Sequence, residues 1–312
     1  MSTILITGGS GLIGRSLTAH LTARGDNVII VSRKPIENSQ DPLVTYATWN
    51  IEEKKIDSDA IVKADYIINL AGAGVMEKKW TEKYKKEIVE SRTKSGELLI
   101  KALQENTNHV KAIISASAIG WYGEDSKPLL YANGFIESDP ADENFLGETC
   151  KLWEESIEPV TKLGKRLVKL RTGIVLSNDG GAFTEFKKSL RFGIAAILGS
   201  GKQMISWIHM DDLCRMYINA IENDQLSGSY NAVAPMPVNN KTLMLKLAKK
   251  MRGQFYIAAH VPQFLLKLIL GDRSIEILKS ATVSCEKIKA TGFTFLYPSI
   301  DAALKELKNN KS

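Results

Sequence analysis

The segment Thr7-Gly8-Gly9-Ser10-Gly11-Leu12-Ile13-Gly14 constrains this chain more than any other. It follows an apolar run, Thr3–Thr7, and opens a stretch from Leu12 to Arg24 in which Leu17 and Leu21 share a helical face. A strand that enters a glycine-rich turn and leaves as a helix is the phosphate-gripping unit of a dinucleotide-binding sheet. Gly8 permits the tight turn, Gly11 lets the backbone approach a pyrophosphate, and Gly14 lets the helix pack closely on the strand. Ser10, Leu12 and Ile13 complete the turn, whose free N–H groups and helix-end dipole favour an anion.

The rest of the first half repeats the same alternation. Val28–Val31 predicts a second strand, Val44–Thr48 a third, Tyr66–Ala71 a fourth, Val110–Ser115 a fifth and Leu167–Leu170 a sixth. Helical segments over 81–104 and 145–163 lie between the later ones. Near-continuous apolar strands alternating with helices predict an α/β fold, a doubly wound parallel sheet covered on both faces. After Gly173 the regularity falls away. Residues 177–201 are glycine-rich and read as a loop-and-helix excursion, 229–234 as a returning strand, and the chain from Pro235 onward as helical. The expected organisation is a dinucleotide-binding domain over 1–175, with a return strand within 205–234. A smaller, discontinuous C-terminal lobe would comprise 176–204 and 235–312.

Composition narrows the class. With 312 residues, 44% hydrophobic and 24% charged, the chain is long enough for a sizeable core. The net charge of +6 lacks the basic stripe with interleaved aromatics that nucleic-acid binding requires, and suits an anionic small ligand. Cys150, Cys214 and Cys285 are dispersed, which predicts a reducing compartment and a cytoplasmic protein. The opening residues have no basic start followed by an apolar run, so no secretory leader is expected. The apolar run Val261–Gly271 is too short to span a membrane and reads as a buried helix. The four histidines, His20, His109, His209 and His260, are scattered without an HExxH pattern, so no metal site is expected. Gly201-Lys202 lacks the remainder of a P-loop, and no G-x-S-x-G elbow occurs. The expected partner is a small-molecule substrate, with no nucleic acid and no membrane; oligomeric state is open.

The end of the second strand selects the cofactor. A site for NAD places Asp or Glu there to accept from the ribose 2′-hydroxyl. This chain has Ser32-Arg33-Lys34, and a guanidinium suits a 2′-phosphate, which predicts NADP(H). Strand four runs into Leu70, Ala71 and Gly72, small enough to lie against a cofactor, and the next helix offers Glu87, Ser91 and Arg92.

These motifs occur in an order that is itself informative. TGxxGxxG is followed by Asn69-Leu70-Ala71-Gly72, Ser115-Ala-Ser117-Ala-Ile-Gly-Trp-Tyr122-Gly123, Leu170-Arg171-Thr172-Gly173 and Trp207-Ile-His209-Met-Asp211-Asp212. The chain resembles the extended short-chain dehydrogenase/reductase superfamily of the epimerase/dehydratase type. Asn231–Pro237, Val261-Pro262, Gly292–Pro298 and Gly199–Gln203 resemble its atypical branch with a short C-terminal domain of its own. The resemblance covers essentially the whole chain. It implies that Ser117 is the substrate-polarising serine. It also implies that Ser32, Arg33, Leu70, Ala71, Glu87, Arg92 and Val175 contact the cofactor, with Ser115 at the same strand end.

One departure stands out. The superfamily's hydride chemistry uses a Tyr-x-x-x-Lys pair, in which the lysine and the cationic nicotinamide lower the tyrosine pKa into working range. None of the nine tyrosines has Lys at i+4, and Lys151 is preceded one turn earlier by Gly147. Tyr122 is then the candidate substitute acid, and Lys151 a candidate ribose contact. His209 reads as part of a helix start capped by Asp211 or Asp212. Trp80, Trp121, Trp207 and Lys202 are candidate walls of the substrate site. Two functions remain open at this point. One is an NADP(H)-dependent oxidoreductase or epimerase acting on a sugar-like or carbonyl substrate. The other is an NADP(H)-binding sensor or partner-binding module without turnover.

Overall fold

The computed structural model describes residues 1–35, 39–125 and 134–309. The first half runs β1 (Thr3–Thr7), α1 (Leu12–Ala23), β2 (Asn27–Ser32), β3 (Val44–Asn50), β4 (Lys55–Ile56), α2 (Ser58–Lys63), β5 (Tyr66–Asn69), α3 (Glu82–Glu105), β6 (Ala112–Ala118), α4 (Phe145–Ile157) and β7 (Arg166–Thr172). The second half runs β8 (Ile174–Leu176), α5 (Ala182–Leu190), β9 (Ile194–Leu198), β10 (Met204–Ile205), β11 (Trp207–His209), α6 (Met210–Glu222), β12 (Gly228–Ala232), β13 (Val238–Asn239) and α7 (Asn240–Arg252). It continues through β14 (Ile257–Val261), α8 (Gln263–Leu270), α9 (Ser274–Leu278), α10 (Glu286–Lys289) and α11 (Ile300–Asn309).

Eight strands form one sheet in the order β12-β7-β6-β5-β1-β2-β3-β4, parallel except at the β3–β4 edge. The side-chain alternation of β1 shows why it is covered twice. Ile4 and Ile6 pack with Leu17 and Leu21 of α1 and Leu213 and Tyr217 of α6. Leu5 points the other way, to Leu98 and Leu99 of α3 and Ile157 of α4. The strand order reverses between β1 and β5, where parallel sheets of this kind open a crevice at the carboxyl ends of the strands. Thr7, Asn69 and Ser115 lie level there, because Thr7 pairs with Asn69 and Asn69 with Ser115.

The structure corrects several sequence expectations. The strand read over 110–115 lies over Ala112–Ala118, so Ser117 is inside β6 and not beyond it. Within 205–234 only β12 joins the large sheet, whereas β11 pairs with β8. The glycine-rich excursion contains a strand, β9, which pairs in parallel with β14 from the region read as wholly helical. A third core lies there: Phe183, Leu190, Ile197, Trp207, Leu243, Leu247 and Leu304 are buried together. The apolar run after Val261 does form a helix, but not a buried one. Of α8 only Leu266 is buried, while Phe264, Leu268 and Ile269 are exposed. No helix of the described residues is long and apolar enough to cross a membrane.

Candidate functional site at the carboxyl ends of the strands

The turn between β1 and α1 is shaped by what glycine leaves out. Gly8 has φ +69°, and a Cβ there would stand 2.9 Å from the Leu70 carbonyl. A Cβ on Gly14 would stand 2.5 Å from Gly9 Cα and 2.6 Å from the Gly8 oxygen. Gly11 is the N-cap of α1 and offers no side chain to its first-turn amides, and the first turn holds no acidic residue. Those donors therefore face outward, with the positive end of the helix dipole behind them. Ser10 and Gly11 are exposed, and Leu12 and Ile13 half-buried. Thr7 locks the neighbouring strand end: its hydroxyl donates to Asn69 Oδ1 at 2.7 Å and accepts from the N–H groups of Leu70 and Ala71. Asn69 in turn donates to Ser115 Oγ at 3.3 Å.

Ser32 ends β2, and Arg33 beyond it is exposed. At the end of β5, Gly72 makes room for Arg92. A Cβ on Gly72 would lie 3.0 Å from the Arg92 guanidinium carbon. Arg92 is buried, donates from Nη1 to the carbonyls of Ala73 and Ile88, and lies over the Trp153 ring. Ser91 accepts from Ala73 N–H at 2.9 Å. Glu87 is exposed and faces Lys78 at 3.3 Å. Val175 on β8 is half-buried, and beyond that strand a Cβ on Gly181 would meet Leu12 at 3.1 Å, so the excursion packs against the start of α1.

Ser117 and Tyr122 sit in a different environment from the one their expected roles require. Ser117 is 3% exposed and donates to Glu154 Oε1 at 2.7 Å. Tyr122 is fully buried; its hydroxyl donates to Asn231 Oδ1 at 2.7 Å and accepts from Arg171 Nη1 at 3.1 Å. Burial pushes the Tyr122 phenol up to about 12, against the pull of Arg171. A tyrosine acid for hydride chemistry needs the opposite shift. Arg171 closes the network with paired bonds to Glu154, and Ser229 donates to Glu154 Oε2 at 3.1 Å. Sequence reasoning missed Glu154 and Arg171. The Leu170–Gly173 motif contained the arginine, but nothing local marks its partner.

On α4 the residue directed at the end of β6 is Cys150, not Lys151. A Cβ on Gly120 would lie 3.5 Å from Cys150 Sγ, whereas Lys151 is exposed. The wall residues separate likewise. Trp207 is fully buried and donates to the Met236 carbonyl, which makes it core. Trp80 and Trp121 are half-buried and donate to the carbonyls of Val75 and Asp139, and Lys202 is exposed.

The helix start at Met210 is capped by His209 itself, whose Nδ1 accepts from Asp211 N–H at 3.2 Å. The other ring nitrogen meets Glu306 at 2.7 Å and ties α11 to the body of the fold. Ligand atoms of His209, Asp211 and Glu306 lie within 4.8 Å of one another, but both ring nitrogens are committed to these contacts. Asp212, expected as an alternative cap, accepts from the N–H groups of Leu296 and Tyr297.

A doubly wound sheet with a glycine turn at its switch point and a dedicated C-terminal lobe defines an extended short-chain dehydrogenase/reductase fold. Comparison with known proteins agrees. A model of the NAD dependent epimerase/dehydratase family matches residues 4–145, and a domain of unknown function, DUF1731, matches residues 261–307. The chain belongs to the NAD-dependent epimerase/dehydratase family. It is 33% identical over 307 residues to epimerase family protein SH2119 of Staphylococcus haemolyticus, covering 98% of this chain and 99% of that one. It is 33% identical over 304 residues to epimerase family protein YfhF of Bacillus subtilis, covering 97% of each. Among solved structures, human epimerase family protein SDR39U1 (isoform 2) with NADPH superposes with a TM-score of 0.85 at 29% identity, covering 99% of this chain and 100% of that one. The nucleoside-diphosphate sugar epimerase of Corynebacterium glutamicum gives 0.75 at 32% identity, covering 99% of this chain and 58% of that one.

Proposed function

We propose that the protein binds NADP(H) and carries out hydride transfer on a small carbonyl or sugar-like substrate. The observation that carries this reading is the glycine turn read together with Arg33. The residues present fit the cofactor, since glycine at 8 lets the turn pass against the Leu70 backbone, glycine at 14 lets it pack on Gly8 and Gly9, and the first-turn amides of α1 are left without a side-chain cap. The first-turn amides of Leu12, Ile13 and Gly14 would hold the pyrophosphate, with Ser10 and Gly11 lining the turn beside it, the Gly11 N–H being taken by the Gly8 carbonyl at 3.0 Å. Ser32 with Arg33 would hold the 2′-phosphate. Leu70, Ala71 and Gly72 would lie along the adenosine side. Glu87, Arg92, Ser115 and Val175 would border the rest. The human relative solved with NADPH supports the choice of cofactor. The C. glutamicum relative, described as a nucleoside-diphosphate sugar epimerase, supports the substrate class.

When bound, the cofactor supplies the hydride carrier at its nicotinamide. The protein's contribution is to orient that ring and the substrate and to exclude water. In this reading Ser117 and Tyr122 stiffen the floor of the site through Glu154 and Arg171 and do not exchange protons with the substrate. Calorimetric titration of NADPH and NADH into the wild type and Arg33→Ala tests the cofactor assignment. NADPH should bind more tightly, and Arg33→Ala should lose about tenfold or more for NADPH with little change for NADH. Equal affinities for the two nucleotides would overturn it.

A further inference from the structure

Positive charge is concentrated in one part of the chain. Residues 186–210 and 225–271 hold ten Lys and Arg and no Asp or Glu, although the whole chain carries only +6. These stretches include β9, α7, β14 and α8. Two of the ten find carboxylates on neighbouring segments: Lys188 pairs with Glu185 and Lys246 with Asp301. Arg191, Lys249 and Lys267 are exposed and make no ion pair among the described residues.

The same lobe leaves an apolar surface bare. Ile257 and Ala259 of β14 lie in register beside Ile194 and Ala196 of β9. Ala195 and Ile197 belong to the third core, so strand alternation turns these four residues outward. None of the four carries a polar side chain. Arg252, at the end of α7, donates to the carbonyls of Leu190 and Arg191 and ties the ends of α5 and α7 together. The chain leaving each of those helices presents a phenylalanine, Phe192 at 84% exposure and Phe255 at 87%. At the other end of β14, α8 buries only Leu266. Its Phe264 and Leu268 lie one turn apart and are 73% and 79% exposed, with exposed Lys267 between them in sequence.

Single exposed apolar side chains are ordinary, but a contiguous set bordered by unpaired cations marks an interaction surface. The charge selects the occupant. A second copy placed on this face by a two-fold axis would set the basic rim against itself, at a cost in like-charge repulsion. A nucleic acid would answer the charge but offers no apolar phase for Phe192, Phe255 or α8. An anionic bilayer answers both demands, with phosphates for the cations and acyl chains for the apolar side chains. The absence of a spanning helix does not oppose this, because an interfacial helix lies in the plane of the bilayer.

We propose that the face formed by β9, β14 and α8 docks on an anionic lipid bilayer. Phe192, Phe255 and the exposed side of α8 enter the headgroup region, and Arg191, Lys249 and Lys267 meet the lipid phosphates. The sequence expectation of no membrane partner is thereby revised for surface docking, and the cofactor site plays no part in it.

The test is co-sedimentation of the full-length protein with vesicles of phosphatidylcholine alone and of phosphatidylcholine mixed with phosphatidylglycerol. The protein should bind the mixed vesicles, bind the neutral ones far less, and be released by added salt. Phe192→Ser combined with Phe255→Ser should weaken binding about tenfold or more, and Phe264→Ser combined with Leu268→Ser likewise. Arg191→Glu combined with Lys249→Glu should also lose about tenfold, with a shallower salt dependence. NADPH affinity and thermal stability should hold in all three double variants, which shows that they are folded. Phe255→Trp should gain fluorescence that lipids with brominated acyl chains quench. No binding of the wild type to the mixed vesicles overturns the proposal. So does binding that survives both pairs of apolar substitutions, which would show attraction by charge alone. A dimer in light scattering that the Phe192→Ser and Phe255→Ser pair dissociates, with no vesicle binding, would assign this face to a second copy instead.

Discussion

Glu154 and Arg171 meet as a two-point pair inside the fold. Arg171 Nε lies 2.8 Å from Glu154 Oε1 and Nη2 lies 3.1 Å from Oε2, with both side chains about 95% buried. The pair joins α4 to β7, and Ser117, Ser229 and Tyr122 attach to it. Burial by itself would raise the Glu154 pKa, but the bonds and charge of Arg171 together with Ser117 hold it below its ordinary value near 4.5. A carboxyl depressed in the folded state adds stability above its unfolded pKa and loses it as pH falls through the folded value. Denaturation midpoints should therefore fall with acidification below about pH 4.5. In Glu154→Gln that slope should be shallower and the protein less stable at pH 7 by about 3–5 kcal/mol. An unchanged pH profile in urea titrations of Glu154→Gln would remove this role.

Tyr122→Phe separates a structural from a chemical tyrosine. The hydroxyl serves Asn231 and Arg171, both buried. Its removal should cost about 1–3 kcal/mol of stability by leaving those groups short of a partner. Affinity for NADPH should hold within twofold or so. Abolished turnover without loss of stability would restore a catalytic role.

Gly8→Ala probes the turn. It places a Cβ at φ +69° and 2.9 Å from the Leu70 backbone. The left-handed conformation alone costs about 1–3 kcal/mol for a residue other than glycine. Melting temperature should drop, and NADPH binding should weaken beyond what unfolding at the assay temperature accounts for.

The thiols offer an independent check on burial. Burial pushes Cys150 and Cys214 up to about 12 and Cys285 up to about 11. All three are buried and free. A disulfide reagent at pH 8 should find them unreactive in the native protein and react with all three in denaturant. Fast native reaction of Cys150 would show that the end of α4 is open.

What the sequence determined by itself is the local part. The alternation of Ile4, Leu5 and Ile6, the glycines of the first turn and the absence of a carboxylate after Ser32 all act through backbone rules spanning a few residues. They were legible as a doubly wound sheet and a phosphate cradle, because each residue's role depends on its chain neighbours. Gly72 and Arg92 were legible as single residues, though not their contact. Tertiary structure alone decided the rest. Ser117 turned out to hold Glu154, 37 positions away, and Tyr122 to hold Asn231, 109 positions away. The same long reach directed Cys150 rather than Lys151 at β6 and left α8 uncovered. A buried polar side chain takes whichever partner the packing brings within about 3 Å. That choice is set by the crossing of whole strands and helices, which no short window of sequence contains.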